Sequence, residues 1–248
     1  MKIGVLTLFP ELFEPFWDHG IVRRAVRGRR IAPDVLDIRD FARGRHRVAD
    51  DRPYGGGCGM VMKPEPLAGA VAEAKRRIPG ATTLLLSPQG RRFDQPAALA
   101  LAAEEALILV CGRYEGVDER FIEAHVDAEL SIGDFVLTGG ELGAMVVIDA
   151  VTRLIPGVLG NADSADNDTF SDGLVEHAHY TRPPCFDAEP VPDVLLSGNH
   201  AEIDRWRRET ALMRTVMKRP DLLAQRGITP AERAVLENWR REIDKLLE

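Results

Sequence analysis

Apolar residues in the first two thirds of this chain fall into short runs bounded by proline, glycine or charge. Residues 2–9 (KIGVLTLF), 33–38 (PDVLDI), 81–87 (ATTLLLS) and 106–112 (ALILVCG) read as strands, with a weaker one at 126–131 (VDAELS). Between them lie helical stretches at 11–17, 21–30, 64–77, about 95–105 and 138–154. Strands that are apolar on both faces and alternate with helices predict an α/β fold with a mostly parallel sheet covered on both sides. Asp94 is placed to cap the fourth helix, with Pro96 in its first turn. Thr138-Gly139-Gly140-Glu141 has capping-box spacing at the start of the fifth, and Pro156-Gly157 stops it.

The pattern breaks at 160–173 (GNADSADNDTFSDG), which holds four aspartates and no basic residue. This is the composition of a mobile loop or linker. It divides the chain into a domain at 1–159, a lid or linker at 160–173 and a smaller helical domain at 174–248, with helices near 200–217 and 230–247.

Composition narrows the class. The chain has 248 residues, with 32 Lys and Arg against 39 Asp and Glu, a formal charge of −7. That balance argues against a protein coating nucleic acid through bulk positive charge. Local basic patches exist nonetheless, at Arg23, Arg24, Arg27, Arg29 and Arg30, and again from Arg39 to Arg52. They read equally as solvated surface or as phosphate-binding groups. No apolar run reaches the ~18–20 residues of a membrane helix. The N-terminus lacks a charged leader with a small-residue cleavage site, and Cys58, Cys111 and Cys185 are scattered without a CxxC pair. Neither a secretory signal nor a structural zinc site is expected, and the reducing cytoplasm is the natural compartment.

Three glycine-rich turns follow predicted strands: Ser87-Pro88-Gln89-Gly90, Gly112-Arg113-Tyr114-Glu115-Gly116, and Ile132 through Gly140 (IGDFVLTGG). Any one alone is a tight turn; three at strand ends point to a small-molecule site, because glycine lets backbone approach a ligand closely. Neither a GxGxxG fingerprint nor a GxxxxGK loop is present. DRPYGGGCGMVM at 51–62 is a different loop, read either as backbone lying against a flat partner such as a base or as a flexible hinge. Cys58 within it reads as a packing residue. Asp168 and Asp172 lie in the acidic stretch, with Arg153 closing the preceding helix. A carboxylate on a lid beside a fixed arginine is a workable acid–base pair. His177, His179 and Tyr180 read as loop packing rather than metal ligands.

Taken together, IGVLTLFPELF, DDRPYGGGCGMVM, LLLSPQGRRF, CGRYEGVDERF, SIGDFVLTGGELGAMVVIDAVTRLIPGVLG, DTFSDGLVEHAHYTRPPCF and SGNHAEIDRWRRE resemble the bacterial tRNA (guanine-37-N1) methyltransferases of the SPOUT superfamily. The resemblance runs nearly the whole chain. It implies an N-terminal α/β domain with a deep trefoil knot, a homodimer sharing each active site, and a small all-helical C-terminal domain that grips tRNA. It assigns S-adenosylmethionine binding to Leu86, Ser87, Pro88, Gln89, Gly112, Tyr114, Glu115, Gly116, Ile132, Gly133, Asp134, Phe135, Val136, Leu137, Gly139 and Gly140. Gly59 and its loop are assigned to the target guanine, and Arg153 and Asp168 to catalysis. The resemblance also implies magnesium dependence, for which no ligand spacing is visible. Two other readings stay open: a methyltransferase acting on ribosomal RNA or a ribose hydroxyl, and a non-catalytic RNA-binding module built on the Arg23–Arg52 region.

Overall fold

The computed structural model describes residues 1–160 and 168–247. The chain forms two compact units, Met1–Ala162 and Asp163–Glu248.

In the first unit the strands are β1 (Lys2–Thr7), β2 (Ala32–Asp37), β3 (Asp50–Asp51), β4 (Val61–Met62), β5 (Thr82–Arg92), β6 (Ala106–Cys111) and β7 (Ala128–Ser131). Five of them build one sheet in the order β2-β1-β6-β5-β7, every pair parallel. All six residues of β6 are buried, as a strand covered on both faces requires. The helices are α1 (Phe13–Trp17), α2 (Gly20–Arg27), α3 (Pro64–Arg77), α4 (Gln95–Ala102), α5 (Glu119–His125) and α6 (Glu141–Thr152). On one face Ile3, Val5, Leu107 and Leu109 pack with Ala144, Val147, Ile148 and Val151 of α6. On the other, Leu6, Leu85, Ile108 and Val110 pack with Leu67, Ala70, Val71 and Ala74 of α3. Asp94 caps α4, its Oδ1 accepting the Ala97 N–H at 2.9 Å.

Three local expectations give way. Ser87 to Gly90 is not a turn after a finished strand. β5 continues to Arg92 through a register shift between Leu86 and Arg91 against β7. A side chain on Gly90 would collide with the backbone of Glu129, so the irregular step needs glycine there. The capping box at Thr138 does not form either. Gly140 is the cap residue, without a side-chain bond, and Glu141 opens the helix with its carboxylate buried. A carboxylate taken out of water needs strong partners, and it finds them inside the unit rather than at the helix end. Finally, the glycine-rich loop is closed by the antiparallel pair β3 and β4, two residues each. Strands that short leave no alternation to read.

The second unit contains α7 (Asp193–Leu196), α8 (His200–Lys218), α9 (Pro220–Arg226) and α10 (Pro230–Leu247). It is not all helical: β8 (Cys185–Phe186) and β9 (Glu189–Pro190) form a hairpin. Its buried cluster is small, Leu174, Leu212 and Leu223, with Val235, Leu236 and Trp239 packed against it. Of the expected lid at 160–173, residues 161–167 lie outside the described residues. Residues 168–174 turn back on themselves, with the Ser171 N–H donating to the Asp168 carbonyl and the Phe170 N–H to that of Leu174. Among the described residues no helix is long and apolar enough to cross a membrane.

Candidate active site

The order of the sheet puts β6, β5 and β7 side by side, so the segments leaving their carboxyl ends share one edge. A crevice of about 380 Å³ opens there. Leu86, Ser87, Pro88 and Gln89 line it from β5, and Gly112, Tyr114, Glu115 and Gly116 from the loop after β6. The loop after β7 adds Ile132, Gly133, Phe135, Val136, Leu137, Gly139 and Gly140. Three segments far apart in sequence therefore meet. Asp134 is the one residue of the expected set outside the lining; it is exposed. The lining also includes Glu119 and Ile122 of α5, Glu129 of β7 and Gly143 of α6. Gly143 lies one helical turn beyond Gly140, a small-residue signal that was legible; the other three stand in no glycine-rich segment.

Close approach explains the glycines. A Cβ on Gly140 would lie 2.9 Å from Cys111 Cα and 3.0 Å from the Gly112 nitrogen. That gap is already spanned by the Gly140 N–H donating to the Gly112 carbonyl at 2.8 Å. Tyr114, half-exposed in the crevice, sits at φ 62°, a conformation that costs a non-glycine residue energy and collects at functional sites.

A buried polar network locks the second and third loops together. Glu141 is 2% exposed. The Thr7 hydroxyl donates to its Oε1 at 2.9 Å, and Arg113 Nε donates to Oε2 at 3.1 Å. Arg113 also lies over the Phe9 ring, 4.2 Å from its centre, and pairs through the backbone with Gly139. Burial, and next the Glu141 charge, push the Cys111 thiol well above its ordinary range, so it is an inert packing group.

The glycine-rich loop touches the same place. A side chain on Gly59 would run into the Glu115 carboxylate, and Met60 and Gly116 carbonyls accept from the Glu115 and Met62 N–H groups. Gly55, Gly56, Gly57 and Gly59 all have positive φ, between 78° and 131°, so the loop's path itself demands glycine.

Arg153 is the exposed cap of α6, in the first unit; Asp168 belongs to the second. Of the basic patches, Arg23 pairs with Asp18 at 3.5 Å and Arg47 with Asp40 at 2.8 Å, while Arg39 holds the Leu8 carbonyl. Among the described residues, no three His, Cys, Asp or Glu are grouped to hold a metal.

Glycine-rich loops converging on a crevice of this size at the carboxyl edge of a parallel sheet define an α/β small-molecule-binding protein. The chain belongs to the family described as tRNA (Guanine-1)-methyltransferase TrmD, whose model matches residues 1–225. It is 53% identical to a tRNA (guanine-N(1)-)-methyltransferase of Desulfatibacillum aliphaticivorans, covering 100% of this chain and 94% of the relative. Enzymes with the same name from Methylococcus capsulatus and Dehalococcoides mccartyi are each 54% identical, over 98% and 96% of both chains.

Proposed function

We propose that this protein transfers the methyl group of S-adenosylmethionine to N1 of guanosine 37, beside the anticodon, in tRNAs with a preceding guanosine. The observation that carries this is the meeting of three glycine-rich segments in one crevice, in a chain of this family. The crevice volume falls within the roughly 300–1,000 Å³ of small-molecule sites. Its lining holds Glu115, Glu119 and Glu129 against one cation, Arg113, a net negative set suited to a sulfonium cation. The bound cofactor supplies the electrophilic methyl.

The chain's own residues do the rest. N1 of guanine carries a proton, and its lone pair attacks only as that proton leaves. Asp168 takes the proton as the general base. Negative charge then gathers on O6, where the Arg153 guanidinium stabilises it. Gly59 and its loop present backbone to the guanine, in contact with Glu115 on the cofactor side. Magnesium dependence belongs to the same reading; among the described residues no three His, Cys, Asp or Glu are grouped to hold the ion.

The reading includes the trefoil knot, an N-terminal domain with a tRNA-gripping C-terminal one, action in the cytoplasm, and a homodimer. Supporting the dimer, Leu142 and Val146 expose apolar surface on α6, and Val136 is 84% exposed in the neighbouring loop. Sedimentation equilibrium should give twice 27.4 kDa; a monomer mass would remove this part. For the chemistry, Asp168→Ala should abolish transfer of labelled methyl to tRNA, with cofactor affinity by calorimetry nearly intact. Unchanged turnover would eliminate Asp168 as the base.

A further inference from the structure

We infer that the second unit carries a stacking site for one unpaired base of the RNA substrate, framed by His177, His179, Tyr180, Trp206 and Arg207. The inference rests on the reading of the protein as a tRNA methyltransferase and adds a contact remote in sequence from the three cofactor loops.

The segment Glu176 to Tyr180 is fastened along α8 on its N-terminal side. The Val175 N–H donates to Thr215 Oγ1 at 3.0 Å, and Arg214 Nε donates to the Glu176 carbonyl at 2.9 Å. The next four residues consequently run beside Trp206 and Arg207 of the same helix. Between them is a cavity of about 220 Å³, with Leu195 and Ile203 contributing apolar wall. That is below the roughly 300 Å³ where pockets for drug-sized molecules begin, and suits a single ring system.

The walls are aromatic. The Tyr180 and His177 rings lie 6.1 and 6.3 Å from that of Trp206, and His177 meets His179 edge-on at 4.6 Å. Tyr180 is half-exposed, unlike an aromatic that merely fills a core. His177 Nδ1 is buried without a hydrogen-bond partner, a state that native proteins rarely leave uncompensated. Burial, then the neighbouring His179 and Arg207, lower the pKa of His177 and keep the ring neutral, with one N–H and one lone pair. A base edge offers the complement of both. A metal would need a third ligand, and none is grouped there among the described residues.

Charge supplies the remaining element. Arg205, Arg207 and Arg208 are exposed on α8 around Trp206, and the Asp204 carboxylate reaches Arg207 only at 3.4 Å. Aromatic faces beside solvent-facing guanidinium groups are the pairing by which proteins hold single-stranded RNA: bases stack and phosphates are neutralised.

The test is equilibrium binding of the full chain to an in vitro tRNA transcript with guanosines 36 and 37. Losing one stacking partner should weaken Tyr180→Ala about 5- to 100-fold, while Tyr180→Phe stays within about twofold. S-adenosylmethionine affinity and the thermal midpoint should be those of the unaltered chain. His177→Ala, on another wall, should also weaken tRNA binding. If Tyr180→Ala unfolds, ultraviolet cross-linking of the unaltered complex decides: an RNA adduct on residues 177–180 or 206 is expected. Folded Tyr180→Ala and His177→Ala proteins with unaltered tRNA affinity, or an adduct map that omits this cavity, would overturn the site. Failure of the methyltransferase reading would look different, as an unaltered chain that binds tRNA but leaves N1 of guanosine 37 unmethylated.

Discussion

The crevice of the first unit and the cavity of the second are built by opposite means. The crevice is mostly backbone: glycines at the ends of three parallel strands, held by a sheet buried on both faces and by the Thr7–Glu141–Arg113 network. The cavity is mostly side chain: histidines, a tyrosine, a tryptophan and an arginine set between a loop and α8, with Leu195 of α7 beside them. Backbone can be positioned only by what hydrogen-bonds it, so a site made of backbone needs a rigid ladder beneath it. Side-chain rings carry their shape with them, and a helix face with a short stapled segment is enough to present them. The first unit should accordingly be the stiff one and the second the soft one.

Core truncation tests this most strongly. Leu109 is fully buried in the central strand, whereas Leu212 sits in the small cluster of the second unit. Leu109→Ala should cost about 3–5 kcal/mol and Leu212→Ala about 2–3 kcal/mol, because a thin core collapses more easily around a cavity. Urea unfolding of both variants by circular dichroism measures the two losses; equal losses would end the contrast.

Next in size is the buried network. Glu141→Ala leaves Arg113 without its carboxylate and Thr7 without its acceptor. The cost should be about 3 kcal/mol, at the lower end for a broken buried pair since Arg113 keeps some solvent access. Because Arg113 and Glu141 join two of the loops that line the crevice, S-adenosylmethionine affinity should fall at least about tenfold on the proposed function. A folded Glu141→Ala chain that binds the cofactor normally would show the loops holding themselves.

The smallest effect belongs to the surface. Hydrogen bonds from Arg76, then Arg77, lower the Glu73 carboxyl from 4.5 to about 2. A pKa lower in the folded state means stabilisation that is complete above the unfolded value and fades as the pH falls through the folded one. The thermal midpoints of Glu73→Gln and the unaltered chain should therefore differ slightly at pH 6 and converge between about pH 4.5 and 2. A gap that widens on acidification would reverse the sign. Solvent around these exposed groups keeps the effect small.

Much of this was readable beforehand, for identifiable reasons. β1, β6 and the first half of β5 announced themselves because both their faces are buried, and the partly exposed β7 read more weakly; Asp94 stood out because a cap needs a short oxygen at that position. The glycine-rich loops stood out because few other residues tolerate positive φ or close contact. Glu141 was misread because its sequence neighbours describe a helix start, while its partners, Thr7 and Arg113, are distant in the chain. Glu119 and Ile122 were missed because an ordinary helix carries them past the crevice. The His177–Tyr180 segment read as loop packing, and its rings do pack, against Trp206, a partner that no local signal reveals.

By itself, then, the order of residues determined the sheet strands and main helices, the doubly covered sheet, the three loops and the family, but not the short pairs β3–β4 and β8–β9. Continuous apolar runs report burial on both faces, and glycine reports conformation; both are local quantities. The tertiary structure alone decided that β6 lies between β1 and β5, that the three loops share one edge, and that Glu141 faces inward. Those outcomes depend on pairings between distant segments, whose free energy is spread over the whole sheet and written in no single stretch of it.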